Sequence, residues 1–350
     1  MTFASEAERS CAKDWVAQRS GVPEWGRGWL VVDGTHVPMA WRPARDGEDY
    51  LCYKGGYSMN VALVMLPNSL RIVEYVVGHP GRAQDSRVWT AGSNILRKPR
   101  LYLDEGEFVW QDGGYGHSAF TVGPYPHSAA DRVDDFRRFN YWLSNTRIRA
   151  KHGIAYLKNR FQCLNGYRGN IYRSVDQVMA THTIQACIIA HTFASRYDQP
   201  DDIAELLGDV LEDGEAANLA SGAALDQTTN NEAVQARQVN QANFARSQST
   251  LTQGMSTNQL TRHRTNMALD LREEVITSLF KAKGFTFVDT TPESRRVDKS
   301  AAELELQQQQ SQARLHQRAQ VQHSEHQRRR QSSVRQRQAA TLDPHSASDA

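Results

Sequence analysis

The sequence has no apolar run of about eighteen residues, the length a helix needs to cross a bilayer, and no charged-then-apolar leader at Met1. Neither membrane insertion nor secretion is expected. Cysteine is scarce. Cys11, Cys52, Cys163 and Cys187 form no CxxC pair and match no His pattern, which argues against a zinc knuckle and a disulfide scaffold and fits a reducing, intracellular compartment. An excess of one charge is also missing. At a formal net charge of +2, any case for a nucleic-acid partner must rest on where basic residues cluster. Hydrophobic residues make up 39% of the 350 positions and crowd into the first two hundred. That predicts one globular domain followed by a long polar tail.

Four runs have strand character and are expected to share one sheet. "WLVVDGTHVPM" is an apolar run that delivers Asp33 at its end, before a glycine turn. "YSMNVALVMLP" alternates, with Tyr57, Met59, Val61, Leu63 and Met65 on one side, and "NS" turns it into "LRIVEYVVGHPG" as a hairpin. "EFVWQDGGY" is the fourth run and ends in Asp112 and two glycines. Between them "DSRVWTAGSNIL" predicts a helix opened by Asp85 and Ser86. The segment 113–139, with "VGPYP" and "AADRVDDF", reads as a loop too rich in Pro, Gly and charge for the core. "TRIRAKHGIAYLKNRFQCL", Thr146 to Leu164, predicts an amphipathic helix with Ala150, Ile154, Leu157, Phe161 and Leu164 as its buried stripe. Arg147, Lys151, Lys158 and Arg160 form its basic flank. "DQVMATHTIQACIIAHTFASRY" predicts a further helix that ends the apolar part.

The fold class expected is therefore α/β, a mixed sheet flanked by helices. The expected organisation is an N-terminal helical remnant over 1–28, the domain over 29–200, and an acidic then polar linker over 201–262. A docking helix within 263–290 and a Gln/Arg-rich low-complexity tail over 291–350, disordered or helical, would follow. The block Arg328-Arg329-Arg330 reads as a nuclear import signal, a nucleic-acid arm or solvated filler.

The chemistry turns on Asp33 and Asp112. Acids at the ends of neighbouring buried strands repel each other unless a cation lies between them, and a divalent ion such as Mg²⁺ is the usual solution. A third carboxylate from a helix crossing the sheet would hold a second metal about 3.5 to 4 Å away, the arrangement used for in-line displacement at phosphorus. Simpler readings stand beside this one. Each aspartate alone is also an ordinary turn acid, and Asp85 caps a helix as readily as it binds a metal. His117, His182 and His191 lack a ligating spacing. Arg147, Arg149, Lys158 and Arg160 form either a solvated face or a set of phosphate contacts.

Several linked motifs carry a resemblance: "VVDGTHVPMAWRP", "YKGGYSMNVALVMLPNSLRIVEYVVGHPGRAQDSRVW", "WQDGGY", "VGPYP", "FNYWLSNTRIRAKHGIAYLKNRFQCL" and "ACIIAHTF". In this order, from about Trp29 to about Tyr197, they resemble the DDE superfamily endonucleases of Harbinger/PIF transposases and their domesticated relatives. The resemblance implies an RNase H-like fold and cleavage and joining of DNA with Mg²⁺ or Mn²⁺. It places the first two catalytic and metal-binding acids on Asp33 and Asp112, and Asp85 resembles a recurrent acid outside the triad. The third acid is a glutamate in a Glu-x-x-Phe-Gly-x-Leu-Lys pattern, which here reads Lys151, Ile154, Ala155, Leu157 and Lys158. An ammonium about 4 Å from a divalent ion, at an effective dielectric near 20, is repelled by about 8 kcal/mol. Even a third of that weakens a metal site roughly a hundredfold. No Asp or Glu between Leu143 and Leu164 replaces the missing acid, and Asp131, Asp134 and Asp135 reach the site only if their loop folds over it.

The expectation is a nuclease fold impaired by Lys151, which pairs with Asp33 or Asp112. The alternative is a non-catalytic DNA-binding or scaffold protein domesticated from a transposase. Met1 stands about thirty residues before the first catalytic strand, so the family's helix-turn-helix reader is not expected here. The resemblance implies a separate Myb-like DNA-binding partner, with the nucleus as the expected location and the cytoplasm otherwise.

Overall fold

A computed structural model describes residues 3–116, 118–208, 215–223 and 254–296, with the single positions 211 and 242. His117, much of the polar linker, and the tail from 297 onward, including Arg328 to Arg330, lie outside the described residues.

Five strands form one mixed sheet: β1 (Gly28–Pro38), β2 (Ser58–Met65), β3 (Ile72–Pro80), β4 (Phe108–Trp110) and β5 (Thr121–Val122), in the order β3-β2-β1-β4-β5. The three long strands are antiparallel neighbours, while β4 and β5 run parallel to β1. This is the mixed sheet flanked by helices that the sequence predicts. The hairpin between β2 and β3 is closed by Leu66, whose N–H donates to the Arg71 carbonyl at 3.0 Å.

Alternation along the strands sends side chains to two separate cores. Val31, Met59, Val61, Leu63, Met65, Phe108 and Trp110 face one side; Leu30, Val32, Ala62, Val64 and Val109 face the other. Every residue of β2 is buried, as a strand covered on both faces must be. The second face is covered by α2 (Asp85–Gly92), which contributes Val88 and Trp89, and α3 (Asn94–Arg97), which contributes Ile95. α1 (Glu6–Ser20) runs along the sheet, with Ala12 in one core and Val16 in the other, and its Glu8 forms a fully buried ion pair with Arg71 at 2.7 Å.

The first face carries the long helices. α4 (His127–Ala130) leads into α5 (Asp134–Arg160), followed by α6 (Ser174–Ala194). α5 starts twelve residues before Thr146, because Phe136, Phe139 and Leu143 continue the apolar stripe upstream. Gly153 sets how closely α5 approaches the sheet: a Cβ there would run into the Met65 thioether. The segment 113–139, expected as a loop, contains β5 and α4, and Val122, Tyr125 and Ala130 are buried in the main core. β5 is only two residues long, too short to show a period.

The acidic segment after α6 folds as α7 (Pro200–Leu207) and α8 (Glu215–Ala223), and Ile203, Leu207 and Leu219 pack on Leu70 and Tyr156. The expected docking helix is α9 (Thr257–Lys283), and it docks on this same domain. Val275, Ile276, Leu279 and Phe280 enter the main core, and the Trp25 indole N–H donates to the Val275 carbonyl at 3.0 Å.

Candidate functional site

β1 and β4 run parallel with Val31 opposite Trp110, so two residues further along each chain Asp33, midway along β1, and Asp112, just past the end of β4, arrive side by side. Val31 and Trp110 both face the long helices, and a step of two preserves that direction. Asp33 is half-buried and Asp112 exposed. One oxygen of each is held by the next residue's N–H: Gly34 N to Asp33 Oδ1 at 2.9 Å and Gly113 N to Asp112 Oδ1 at 2.7 Å. Asp33 is not at a strand end before a glycine turn as expected, since β1 runs on through Gly34 to Pro38 and pairs with β2 along that length; only Asp112 is followed by a turn.

Asp85 comes in from the opposite face of the sheet. It is the first residue of α2 rather than its N-cap, which is Gln84. Its carboxylate instead accepts from Asn60 Nδ2 at 2.8 Å. A Cβ at Gly34 would stand 3.0 Å from the Asp85 carboxyl carbon, so the glycine of "DGT" is what allows the close approach. Asp33, Asp85 and Asp112 all act on the buried Tyr115 hydroxyl, whose pKa is raised well above the usual value, chiefly by burial. No hydrogen-bond partner of that hydroxyl is present among the described residues.

α5 brings cations to the acids. Arg147 Nη1 lies 3.1 Å from Asp112 Oδ1, with the arginine side chain 12% exposed and the aspartate 51% exposed. Lys151, one turn further along the same helix face, is exposed. The Asp33 carboxyl is pushed up by burial and by the like charge of Asp112, and drawn down by Arg147, by the Gly34 N–H and by Lys151. The ion pair expected of Lys151 is thus made by Arg147, while Lys151 acts on Asp33 through its field. Asp131, Asp134 and Asp135 do not fill the gap. Asp134 pairs with Arg137 at 2.9 Å, and the buried Asp135 accepts from Thr290 Oγ1 at 2.7 Å and from the Val288 and Asp289 N–H groups.

The other basic residues expected on this helix have separate places. Lys158 donates to the His36 carbonyl at 2.7 Å, and burial together with Lys54 lowers its pKa. Arg149 is buried, donates to the Pro67 carbonyl at 2.7 Å and forms an ion pair with Glu215. Arg160 forms an ion pair with Asp198, which also accepts from the Tyr156 hydroxyl. His191 is fully buried against Tyr156.

Reading the sequence did not single out Asn60, Tyr115, Lys54 or Arg147 as the partner of Asp112. A signal existed for the last, since Arg147 and Lys151 are four apart and share a helix face.

A two-metal site needs three carboxylates around one point. Among the described residues no three Asp, Glu, His or Cys side chains are grouped as metal ligands. The third position carries an ammonium, and a guanidinium holds Asp112. The residues present do not fit a pair of divalent cations.

Residues 32–191 match the family model described as DDE superfamily endonuclease. No curated protein and no solved structure matches the chain. Enzymes of this superfamily generally use divalent metals. Among the described residues no helix is long and apolar enough to cross a membrane. Asp33, Asp85, Asp112, Arg147 and Lys151 all lie inside the matched stretch, so the site and the whole sheet apart from the first residues of β1 are similar to a DDE superfamily endonuclease.

Proposed function

We propose that this chain is a DNA-binding nuclease of Harbinger/PIF transposase descent whose cleavage of DNA phosphodiesters is impaired at the third acidic position. The observation that supports it is the pair of cations on one face of α5. Arg147 neutralises Asp112, and Lys151 adds a second positive charge to the field at Asp33. A carboxylate pair compensated in this way has lost the charge that would draw in a divalent cation. The same cations favour phosphate. The exposed Lys151 and Lys54 present positive charge to a strand laid across this part of the sheet, with Arg147 and Lys158 behind them already engaged by Asp112 and the His36 carbonyl. Target choice then falls to a separate Myb-like DNA-binding protein, and the nucleus is the place where the two would meet.

The test is nicking of supercoiled DNA with Mn²⁺ or Mg²⁺ by the full chain, by Lys151→Glu, and by Lys151→Glu combined with Asp33→Ala. The reading expects weak or absent nicking by the unaltered chain, activity in Lys151→Glu, and its loss in the double variant. Robust nicking by the unaltered chain that Asp33→Ala abolishes would overturn it. The limit of this reading is a wholly non-catalytic DNA-binding protein. Arg147 on Asp112 favours that limit too, and a Lys151→Glu variant that binds DNA without cutting it would select it.

A further inference from the structure

α6 is apolar on two sides. Ala180, Ile184, Cys187, Ile188 and His191 pack inward. On the opposite face Val175, Val178, Met179, Ile189 and Phe193 are 51, 48, 56, 45 and 61% exposed, and Tyr197, in the turn that follows the helix, is 66% exposed. Across its 21 residues the helix holds one carboxylate, Asp176, and no Lys or Arg. A helix that is hydrophobic all round is normally covered all round.

The pattern of the outer face indicates what covers it. Val175, Met179, His182, Ala186, Ile189 and Phe193 follow alternating steps of four and three, the seam of a helix pair with one polar position at His182. The outer part of the stripe is balanced about Ala186, while the inner positions are not, since an antiparallel pair would set His182 opposite Ala190 and Ile189 opposite Thr183. Met179 and Phe193 lie seven residues to either side, and Val175 and Tyr197 eleven. Two such helices laid antiparallel about Ala186 place Met179 of each opposite Phe193 of the other, with Val175 of each toward the turn that carries Tyr197 of the other. Ala186, the smallest side chain in the seam, falls at the crossing point, where the helices come closest. Self-complementarity of this kind is what an isologous two-fold contact requires.

We propose that α6 is a homodimer interface that pairs antiparallel with α6 of a second copy of this chain. The area agrees. From their fractional exposure, the five apolar side chains of α6 and Tyr197 beyond it hold roughly 600 Å² of accessible surface, so complete burial in two copies would remove at most roughly 1,200 Å², the lower end of the range for stable interfaces. The near absence of charge matches the core of such an interface. The inference does not depend on DNA binding or cleavage.

Sedimentation equilibrium of the full chain from about 1 to about 50 μM tests it. The unaltered chain is expected to be dimeric, and Met179→Glu or Phe193→Lys alone to raise the dissociation constant at least about a hundredfold. The double variant Met179→Glu/Phe193→Lys places opposite charges face to face in the antiparallel pair and is expected to recover dimer relative to either single variant. A parallel pair would set like charges together and show no recovery. The proposal is overturned by a monomeric unaltered chain, by a dimer indifferent to both single substitutions, or by a double variant no better than the singles.

Discussion

The fate of Asp33 depends on neighbours that no single motif names. Burial raises its pKa and Arg147 is the largest influence lowering it, so Arg147→Ala is expected to move the Asp33 titration to higher pH. A carbon-detected NMR titration of the carboxyl would show it, and an unchanged or lower value would contradict the arrangement. His191 offers a second test. Its pKa falls to about 3 because burial disfavours the imidazolium and Arg160 adds a like charge, and neither ring nitrogen has a hydrogen-bond partner among the described residues. Unfolded, it would titrate near 6.5, so stability is full above that pH and falls as the pH drops toward 3. The expected slope is about 1.4 kcal/mol per pH unit from this one proton. Urea titrations between these limits should show that contribution, and His191→Phe should remove it. At this scale the sequence was legible for the acids. Asp112 could be placed at a strand end, whereas Asp33 lies midway along β1, and Asp85 comes close to Gly34 only because that residue lacks a side chain, a contact between residues fifty-one positions apart in the chain.

Among the elements, α5 decides the geometry of the site, because it carries both cations across the sheet. Its closeness rests on Gly153. In an open helix Gly→Ala would gain about 1 kcal/mol. Here the added methyl meets Met65, and Gly153→Ala is expected instead to cost about 1–3 kcal/mol. Thermal denaturation should show a midpoint lowered by several degrees, and Met65→Ala in the same chain should relieve part of the loss; a raised midpoint would refute the packing. The long strands and the helices from 85 and 174 were legible because they carry enough residues to show a period. The start of α5 was hidden by the charges of "DDFRR", although Phe136, Phe139 and Leu143 keep the spacing. β5 was hidden by its length.

For the molecule as a whole, the division between domain and appendage lies further along the chain than composition suggested. α9 supplies four core side chains from a segment flanked by polar sequence. Leu279→Ala should therefore cost about 2–5 kcal/mol, the loss of a core leucine, and chemical denaturation would detect it. A change below about 0.5 kcal/mol would mean that α9 is a peripheral arm. Composition could not show this, because an amphipathic helix looks the same whether it docks on its own domain or on another protein.

The central claim is that cations on α5 have taken the place of a divalent pair, and metal binding tests it most directly. Calorimetric titration of Mn²⁺ into the full chain should find no pair of tight sites, and Lys151→Glu should tighten binding at least about tenfold, or about 1.4 kcal/mol, in a manner that Asp33→Ala abolishes. Two tight Mn²⁺ sites in the unaltered chain would contradict the account.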